Sequence, residues 1–180
     1  MGDAAHELAR QADAMEGYFE QVVDRLTSAG YRWYETANFC RPGAPASAPD
    51  FRSRHNLAYW HGRDYLGVGT GAVSTIGPER RRNTPGLARY VGALAAGRTP
   101  PREIEALDGE VRRRERVMLG LRLDEPLALA GLEASLDTEA LERLERLGLA
   151  ARAGADEETT LALTRRGRFL GGGVTAELLA

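Results

Sequence analysis

The residues with the clearest chemical potential form one short string, in which His55 and Asn56 precede Tyr59 and Trp60. Histidine is a common metal ligand, and the two aromatic rings could stack on a flat ligand or donate a hydrogen bond at its rim. A structural explanation competes with this one, because His55 could tie a loop to backbone groups and the aromatic pair could belong to a short helix. For His55 the structural explanation is the favoured one.

A glycine-rich stretch follows between Asp64 and Ile76, and it is predicted to be a strand that runs into a glycine turn. Its small residues are Gly67, Gly69, Gly71 and Ala72, and Val73 comes directly after them. Glycine lets the backbone approach a ligand closely, so a flat cofactor edge or an adenine ring could lie against this surface. The alternative is a tight barrel corner, since the spacing does not fit a dinucleotide fingerprint followed by a helix.

Polar residues near a predicted strand form the third candidate group. The aromatic segment from Tyr31 to Thr36 is predicted to be a buried strand of an α/β layer, and Glu35 and Asn38 lie at its end, where they could line a site. Arg52 and Arg54 could bind carboxylates of a ligand through bidentate pairs. Solvated loop charge explains both arginines equally well.

The composition argues against several classes of protein. The 180 residues carry a formal net charge of -2, so a general basic field for nucleic-acid binding is not expected, and the run from Arg112 to Arg116 is predicted to be a solvated helix face. The single cysteine, Cys40, allows neither an intramolecular disulfide nor a thiolate cluster within one chain. The first ten residues do not resemble a secretory signal, and no apolar stretch is long enough to span a membrane. We therefore expect a globular, cytoplasmic protein.

The periodicity of apolar residues predicts most of the remaining elements. Helices are expected at Ala4 to Ala29, Gly86 to Gly97 and Glu103 to Leu123, and a proline-rich loop from Asn38 to Arg54. A loop of that length inside a domain is often functional when it is ordered. The composition changes near Arg98 to Asp108, from a half rich in aromatics and glycine to a half rich in Leu, Arg and Glu.

The end of the chain has the element order of a winged helix. Short helices are predicted at Leu127 to Leu136 and Asp137 to Leu147, followed by a hairpin within Leu149 to Leu163 and a last helix from Thr164. This order raises the hypothesis of DNA binding by the second helix. Its glutamates balance its arginines, whereas a major-groove reader needs a basic surface, so we expect the domain to pack on a partner domain instead.

Four strings occur together and in order along the chain. They are YETANFCRPG (Tyr34 to Gly43), SRHNLAYW (Ser53 to Trp60), DYLGVGTGAVS (Asp64 to Ser74) and LTRRGRFLGGGV (Leu163 to Val174), with an RxRN-like stretch near Arg81 to Asn83 and ERVMLGLRL between them. Together they resemble the carboxy-terminal half of the oxygen-independent coproporphyrinogen III oxidase-like radical SAM proteins, in the branch regarded as heme chaperones. The resemblance covers nearly the whole chain.

The resemblance implies an α/β fold, the carboxy-terminal part of a partial (β/α) barrel followed by a mainly helical, winged-helix-like domain. The last βα units of the barrel and a connecting helix would occupy residues 1–107, and the second domain residues 108–180. In the family the barrel holds S-adenosylmethionine and a 4Fe-4S cluster bound by three clustered cysteines, which this sequence lacks. Cys40 stands where relatives are expected to have a small residue, so neither a metal ligand nor a catalytic residue is expected here. The missing amino-terminal barrel half would be a partner.

By resemblance, Val73 corresponds to an apolar contact of S-adenosylmethionine, with Gly67, Gly69, Gly71 and Ala72 as structural supports. Many heme chaperone relatives have His at this place, so the GAVS string departs from their pattern and argues against an axial heme contact there. The wall for a tetrapyrrole or substrate would consist of Glu35, Asn38, Phe39, Arg54, His55, Asn56, Tyr59 and Trp60. In such a site His55 could bind heme iron, and Arg52 and Arg54 could bind the propionates. Glu35 and Asn38 would lie at the end of a barrel strand, where barrels present functional groups.

Two functions from different classes follow. In the first, the sequence is the carboxy-terminal portion of a radical SAM heme chaperone, which binds heme or another tetrapyrrole and is inactive as an enzyme on its own. In the second, it is a free-standing binding or interaction module for heme or a protein partner. DNA is the less favoured ligand of such a module.

Overall fold

Three small antiparallel sheets, connected by helices, make up the part of the chain that the computed structural model describes, residues 17–42 and 50–179. This mixed α/β composition confirms the predicted fold class. The strands pair as two-stranded, three-stranded and three-stranded sheets, in the orders β1-β2, β3-β4-β5 and β6-β8-β7.

The first sheet is a short hairpin that follows helix α1, residues 17–28 of the described part. Strand β1 (Arg32–Glu35) pairs with strand β2 (Asn38–Cys40). The strand predicted within Tyr31 to Thr36 is therefore confirmed. The prediction that a loop begins at Asn38 is wrong, because Asn38–Cys40 form the second strand of the hairpin. The amino-terminal part of the predicted helix and the centre of the proline-rich loop lie outside the described residues.

Helix α2 (Arg54–Trp60) contains the string with His55, Tyr59 and Trp60. Its start is fixed by Ser53, whose hydroxyl accepts a hydrogen bond from the Asn56 amide at 3.3 Å. This cap satisfies one of the amide groups that a helix start leaves without an intrahelical partner.

The second sheet contains strands β3 (Val73–Ile76), β4 (Glu79–Asn83) and β5 (Arg102–Ala106). The strand predicted to start at Asp64 is regular only from Val73, although Tyr65 forms an isolated bridge with Thr75. The glycine turn also precedes the strand and does not follow it.

Helix α3 (Leu87–Ala95) connects β4 to β5 and confirms the helix predicted from Gly86 to Gly97. The next prediction, a helix from Glu103, is wrong at its start because β5 pairs with β4 up to Ala106. Helix α4 (Gly109–Gly120) begins only after Asp108, whose carboxylate accepts from the Val111 amide at 2.8 Å.

The third sheet and three helices form the end of the chain. The elements are strand β6 (Leu127–Ala128), a 3-10 turn (Glu133–Ser135), helix α5 (Thr138–Arg146), strands β7 (Ala150–Ala153) and β8 (Thr160–Leu163), and helices α6 (Arg165–Phe169) and α7 (Gly171–Leu178). The predicted helix within Leu127 to Leu136 is wrong, since that segment contains a strand and a single 3-10 turn. The helix capped by Asp137, the hairpin and the helix start at Thr164 are confirmed.

Two apolar clusters hold these elements together. The larger one joins α4 to the third sheet and to α5 and α7, with Leu144, Leu161 and Leu178 fully buried at its centre. The smaller one joins the first hairpin, α2 and the residues after α4 through Tyr34, Leu57 and their neighbours. The proposed division of the chain between residues 107 and 108 stays a prediction. Among the described helices, none has the length and apolar character needed to cross a bilayer.

Candidate functional site

A cavity of about 530 Å³ lies between α2, the loop that follows it, β4 and α4, and is called the α2–α4 cavity below. Its walls include the sequence-predicted residues Tyr59 and Trp60. The other aromatic or charged residues that line it are Arg63, Asp64, Tyr65, Arg80, Arg112, Arg113, Glu115 and Arg116, and Met118 is among its apolar ones. Aromatic rings and guanidinium groups therefore converge on one concave surface.

The aromatic wall is built mainly by one helix and the loop after it. The Tyr59 ring lies 4.5 Å from that of Tyr65, between centroids, at an interplanar angle of 60°. His55 precedes Tyr59 by one helical turn and meets it edge to face at 5.0 Å. His55 itself is exposed and does not line the α2–α4 cavity.

The charged wall comes mostly from α4 and contains more cations than their acidic partners balance. Arg80 is neutralised by Glu115, which accepts at 2.7 and 2.8 Å from the same guanidinium nitrogen. Among the described residues, Arg116 donates only to the Trp60 carbonyl, at 3.3 Å, and burial lowers its pKa. Within the described residues, neither Arg112 nor Arg116 has a carboxylate within 4 Å. A bound anion would therefore compensate charge that the protein leaves unpaired.

The run from Arg112 to Arg116 was predicted to be a solvated helix face, and this is wrong for part of it. Arg113, Glu115 and Arg116 are half-buried, because the loop after α2 packs beside them. A continuous run of charged residues has no apolar periodicity. The sequence therefore does not show which of these residues face a neighbouring element. Tyr65 and Arg80 were not identified from the sequence for a similar reason, since only the fold brings them to the cavity.

Arg122, which was not identified from the sequence, contacts both Glu35 and Trp60. The Glu35 carboxylate is only 2% exposed and accepts from Arg122 at 3.1 Å, and also from the Asn38 side chain. The guanidinium carbon of Arg122 lies 4.2 Å from the centroid of the Trp60 ring. Two parts of the predicted tetrapyrrole wall are thus in one network.

Other members of the predicted wall do not converge on the cavity. Phe39 stacks on Trp33, with centroids 6.3 Å apart and an angle of 18° between the rings. Arg54 is exposed at the start of α2, and the Asn56 amide is used in the helix cap. None of these three residues is among those that line the α2–α4 cavity.

Arg52 already has two carboxylate partners. It donates to Asp50 at 2.8 Å and also bonds Glu125, and these contacts raise its pKa. The side-chain and backbone hydrogen bonds from Arg52 lower the pKa of Asp50 to about 2. An incoming propionate would have to compete with both acidic residues for this guanidinium.

The glycine segment before β3 is shaped by the chain's own backbone. A Cβ atom on Gly67 would lie 2.2 Å from the Val73 carbonyl oxygen, so only glycine fits there. The Gly67 amide donates to the Ser74 hydroxyl at 3.0 Å, and the Asn83 side chain donates to the Gly69 carbonyl at 3.0 Å. Val73 is half-buried and does not line the α2–α4 cavity.

The described residues do not fit an iron–sulfur cluster. Cys40 is buried in the smaller apolar cluster, and burial raises the pKa of its thiol, which disfavours the thiolate that binds iron. Among the residues that the structure describes, no three His, Cys, Asp or Glu side chains lie close enough together to hold a metal ion.

Comparison with known proteins gives a consistent family. Residues 107–170 match the model of the HemN C-terminal domain. The chain is 37% identical over 174 residues to the heme chaperone HemW of Mycobacterium tuberculosis. This alignment covers 96% of this chain and 42% of that protein. It is 32% identical over 104 residues to HemW of Bacillus subtilis, covering 58% of this chain and 26% of that protein.

A solved structure has a similar fold. The radical SAM enzyme coproporphyrinogen III oxidase (HemN) of Escherichia coli superposes with a TM-score of 0.61 and 22% sequence identity, over 89% of this chain and 40% of that one. The chain spans less than half the length of the relatives it matches. It belongs to the oxygen-independent coproporphyrinogen III oxidase-like radical SAM family, in its heme chaperone branch, and represents the carboxy-terminal part of that family's fold.

Proposed function

We propose that this chain supplies a tetrapyrrole-binding surface, and that the α2–α4 cavity is the surface that binds heme. The observation that carries the proposal is the meeting of Tyr59 and Trp60, in one cavity, with guanidinium groups of α4 that have no carboxylate partner in the part of the chain that the structure describes. The relatives named heme chaperones support the choice of ligand. Heme is chosen as the ligand because those relatives are named heme chaperones.

The chemistry of the walls suits both parts of a heme molecule. The faces of Tyr59, Trp60 and Tyr65 offer apolar area and stacking to a flat macrocycle. Guanidinium groups such as that of Arg116 form charge-assisted pairs with propionates. The cavity volume of about 530 Å³ is within the usual range of small-molecule sites.

The cofactor assignments of the family are proposals for this chain. S-adenosylmethionine would contact Val73, beside the backbone that Gly67, Gly69, Gly71 and Ala72 shape. A 4Fe-4S cluster would need ligands that the described residues do not provide, so no radical step is assigned to them. The amino-terminal part of the family's barrel is the proposed source of those ligands.

A heme titration of the purified chain tests the proposal. We expect a saturable Soret shift, with an affinity about tenfold weaker in Arg116→Gln and in Tyr59→Leu, because each variant loses one charge-assisted pair or one stacking face. Arg146→Gln is the matched control, since Arg146 is an exposed arginine on α5 away from the cavity. Equal affinity in all four proteins, or the lack of saturation, would contradict the assignment.

The titration also decides the role of His55. If its imidazole binds the iron, His55→Ala will change the position of the Soret band more than the affinity. If His55 only supports Tyr59 through their edge-to-face contact, the band position will stay the same and the affinity will fall slightly.

One observation favours the alternative function, a protein-interaction module. Leu87, Val91 and Leu94 lie on one face of α3 and are 68%, 51% and 53% exposed. Such a stripe is typical of a face that another protein covers. Sedimentation of the chain alone and of Val91→Glu would show whether the stripe drives association, since the variant should remove any concentration dependence.

A further inference from the structure

A second cavity, of about 470 Å³, shares only Met118 with the α2–α4 cavity and lies between α1, the first hairpin, α4 and the last two helices. Its walls are mainly apolar, with Phe19, Leu121 and Phe169 among them. Two guanidinium groups, those of Arg122 and Arg168, also line it. We call it the Arg168 cavity.

Arg168 is a cation in a desolvated position. Its Nη2 atom is buried and has no hydrogen-bond partner among the described residues. Its guanidinium carbon lies 3.8 Å from the centroid of the Trp33 ring, and burial lowers its pKa. A buried nitrogen of a guanidinium group with an unused donor is costly unless an acceptor arrives from outside the chain.

The acidic residues nearby are already occupied. Glu35 accepts from Arg122 and Asn38, and Asp124 accepts from Arg32 at 2.7 and 2.8 Å. Arg122 also has a buried Nε atom without a partner among the described residues. Glu35 thus pairs with Arg122 and Asp124 with Arg32, and among the described residues Arg168 has no carboxylate within 4 Å, which leaves one positive charge unbalanced beside the cavity.

We infer that the Arg168 cavity binds a single carboxylate carried on an apolar body. The carboxylate would accept from Nη2 of Arg168, and the apolar body would pack against Phe19, Leu121 and Phe169. One unbalanced charge and apolar walls favour a monoanion over a more highly charged ligand. The carboxylate could be that of a free acid or a propionate of a larger molecule, and these two sources can be separated by experiment.

Calorimetric titration of the purified chain with 4-phenylbutyrate and with its neutral amide tests the inference. The acid should bind at least about tenfold more tightly than the amide, because only the acid forms a charge-assisted hydrogen bond. Arg168→Met should abolish this preference. Arg166→Met, which removes an exposed arginine from the same helix, should keep it.

A second variant covers the case in which Arg168→Met does not fold. Ala176 is exposed but lines the cavity, so Ala176→Phe should fill the space and weaken binding of the acid without changing any charge. Equal binding of acid and amide, binding by Ala176→Phe at the wild-type level, or no measurable binding of either compound would overturn the inference.

Competition with heme separates the two sources of the carboxylate. If 4-phenylbutyrate weakens heme binding and Arg168→Met weakens it too, the carboxylate is a propionate of the tetrapyrrole. If heme binds equally well with and without 4-phenylbutyrate, the ligand is a free acid at a separate site. Failure of the α2–α4 cavity to bind heme would leave the acid-over-amide preference unchanged, so the two proposals fail separately.

Discussion

The guanidinium of Arg122 lies over the indole ring of Trp60, with 4.2 Å between its carbon and the ring centroid, while one of its nitrogens donates to the buried carboxylate of Glu35. The contact links the first hairpin, helix α2 and the segment after α4. These are the elements that enclose the smaller apolar cluster. The ion pair between Arg122 and Glu35 therefore helps to fix the position of the Trp60 ring. Trp60 in turn forms part of the wall of the α2–α4 cavity.

Removing that guanidinium should destabilise the fold. Arg122→Met leaves the Glu35 carboxylate buried without its cation, and we expect the free energy of unfolding to fall by about 2–3 kcal/mol, below the cost of a fully buried pair because Arg122 is 40% exposed. Denaturant unfolding measures this change. Arg146→Met is the control, since its exposed pair with Glu142 should contribute no more than about 0.5 kcal/mol. Similar losses in both variants would show that the buried pair contributes no more to the free energy of unfolding than an exposed pair.

Gly67 should not tolerate a methyl group. In Gly67→Ala the new Cβ would meet the Val73 carbonyl oxygen at 2.2 Å, so the backbone must move and we expect a loss of about 1–3 kcal/mol. Gly92→Ala is the matched control on α3, because a Cβ there has no neighbour within 4 Å and a helical glycine is replaced by a better helix former. That variant should gain up to about 1 kcal/mol. Thermal melting of both proteins gives the comparison, and an unchanged melting temperature in Gly67→Ala would contradict it.

Much of the fold could be predicted where local signals were strong. The caps at Asp137 and Thr164 marked helix starts, and the apolar period of α3 marked its length. Strand β5 was missed because all five of its residues are exposed, so it shows no alternation between buried and exposed positions. Its pairing with β4 decides its conformation, and a pairing between distant segments is not visible in a local pattern.

The candidate site could be predicted only in part. Tyr59 and Trp60 were identified because aromatics next to His55 form a compact local string. Arg116 and Arg122 became part of the two networks through contacts with residues more than 50 positions away, at Trp60 and Glu35. Sequence spacing carries no information on such contacts, because they depend on how α4 packs against α2 and the first hairpin.

Asp50 should titrate well below the ordinary range of an aspartate. Hydrogen bonds from Arg52 lower its pKa from 3.8 to about 2, so the folded state favours the charged carboxylate. The sign follows from linkage: the stabilisation is fully present above about pH 4 and is lost as the pH falls through about 2. The effect on stability should be small because Asp50 is half exposed. NMR titration of the carboxyl carbon gives the pKa directly, and Arg52→Gln should return it towards 3.8.

Gly167 should be as intolerant in α6 as Gly67 is before β3. A Cβ on Gly167 would lie 1.8 Å from the Leu149 carbonyl oxygen, which also accepts from the Thr164 amide at 3.0 Å. Gly167→Ala must therefore push α6 away from the β7–β8 hairpin, and we expect a loss of about 3 kcal/mol with reduced hydrogen-exchange protection at Thr164. Gly172→Ala, where a Cβ meets nothing within 4 Å, is the control in the adjacent helix. Because the Arg168 cavity is lined by α6 and α7, Gly167→Ala should also weaken 4-phenylbutyrate binding, whereas Gly172→Ala should leave the protection at Thr164 intact.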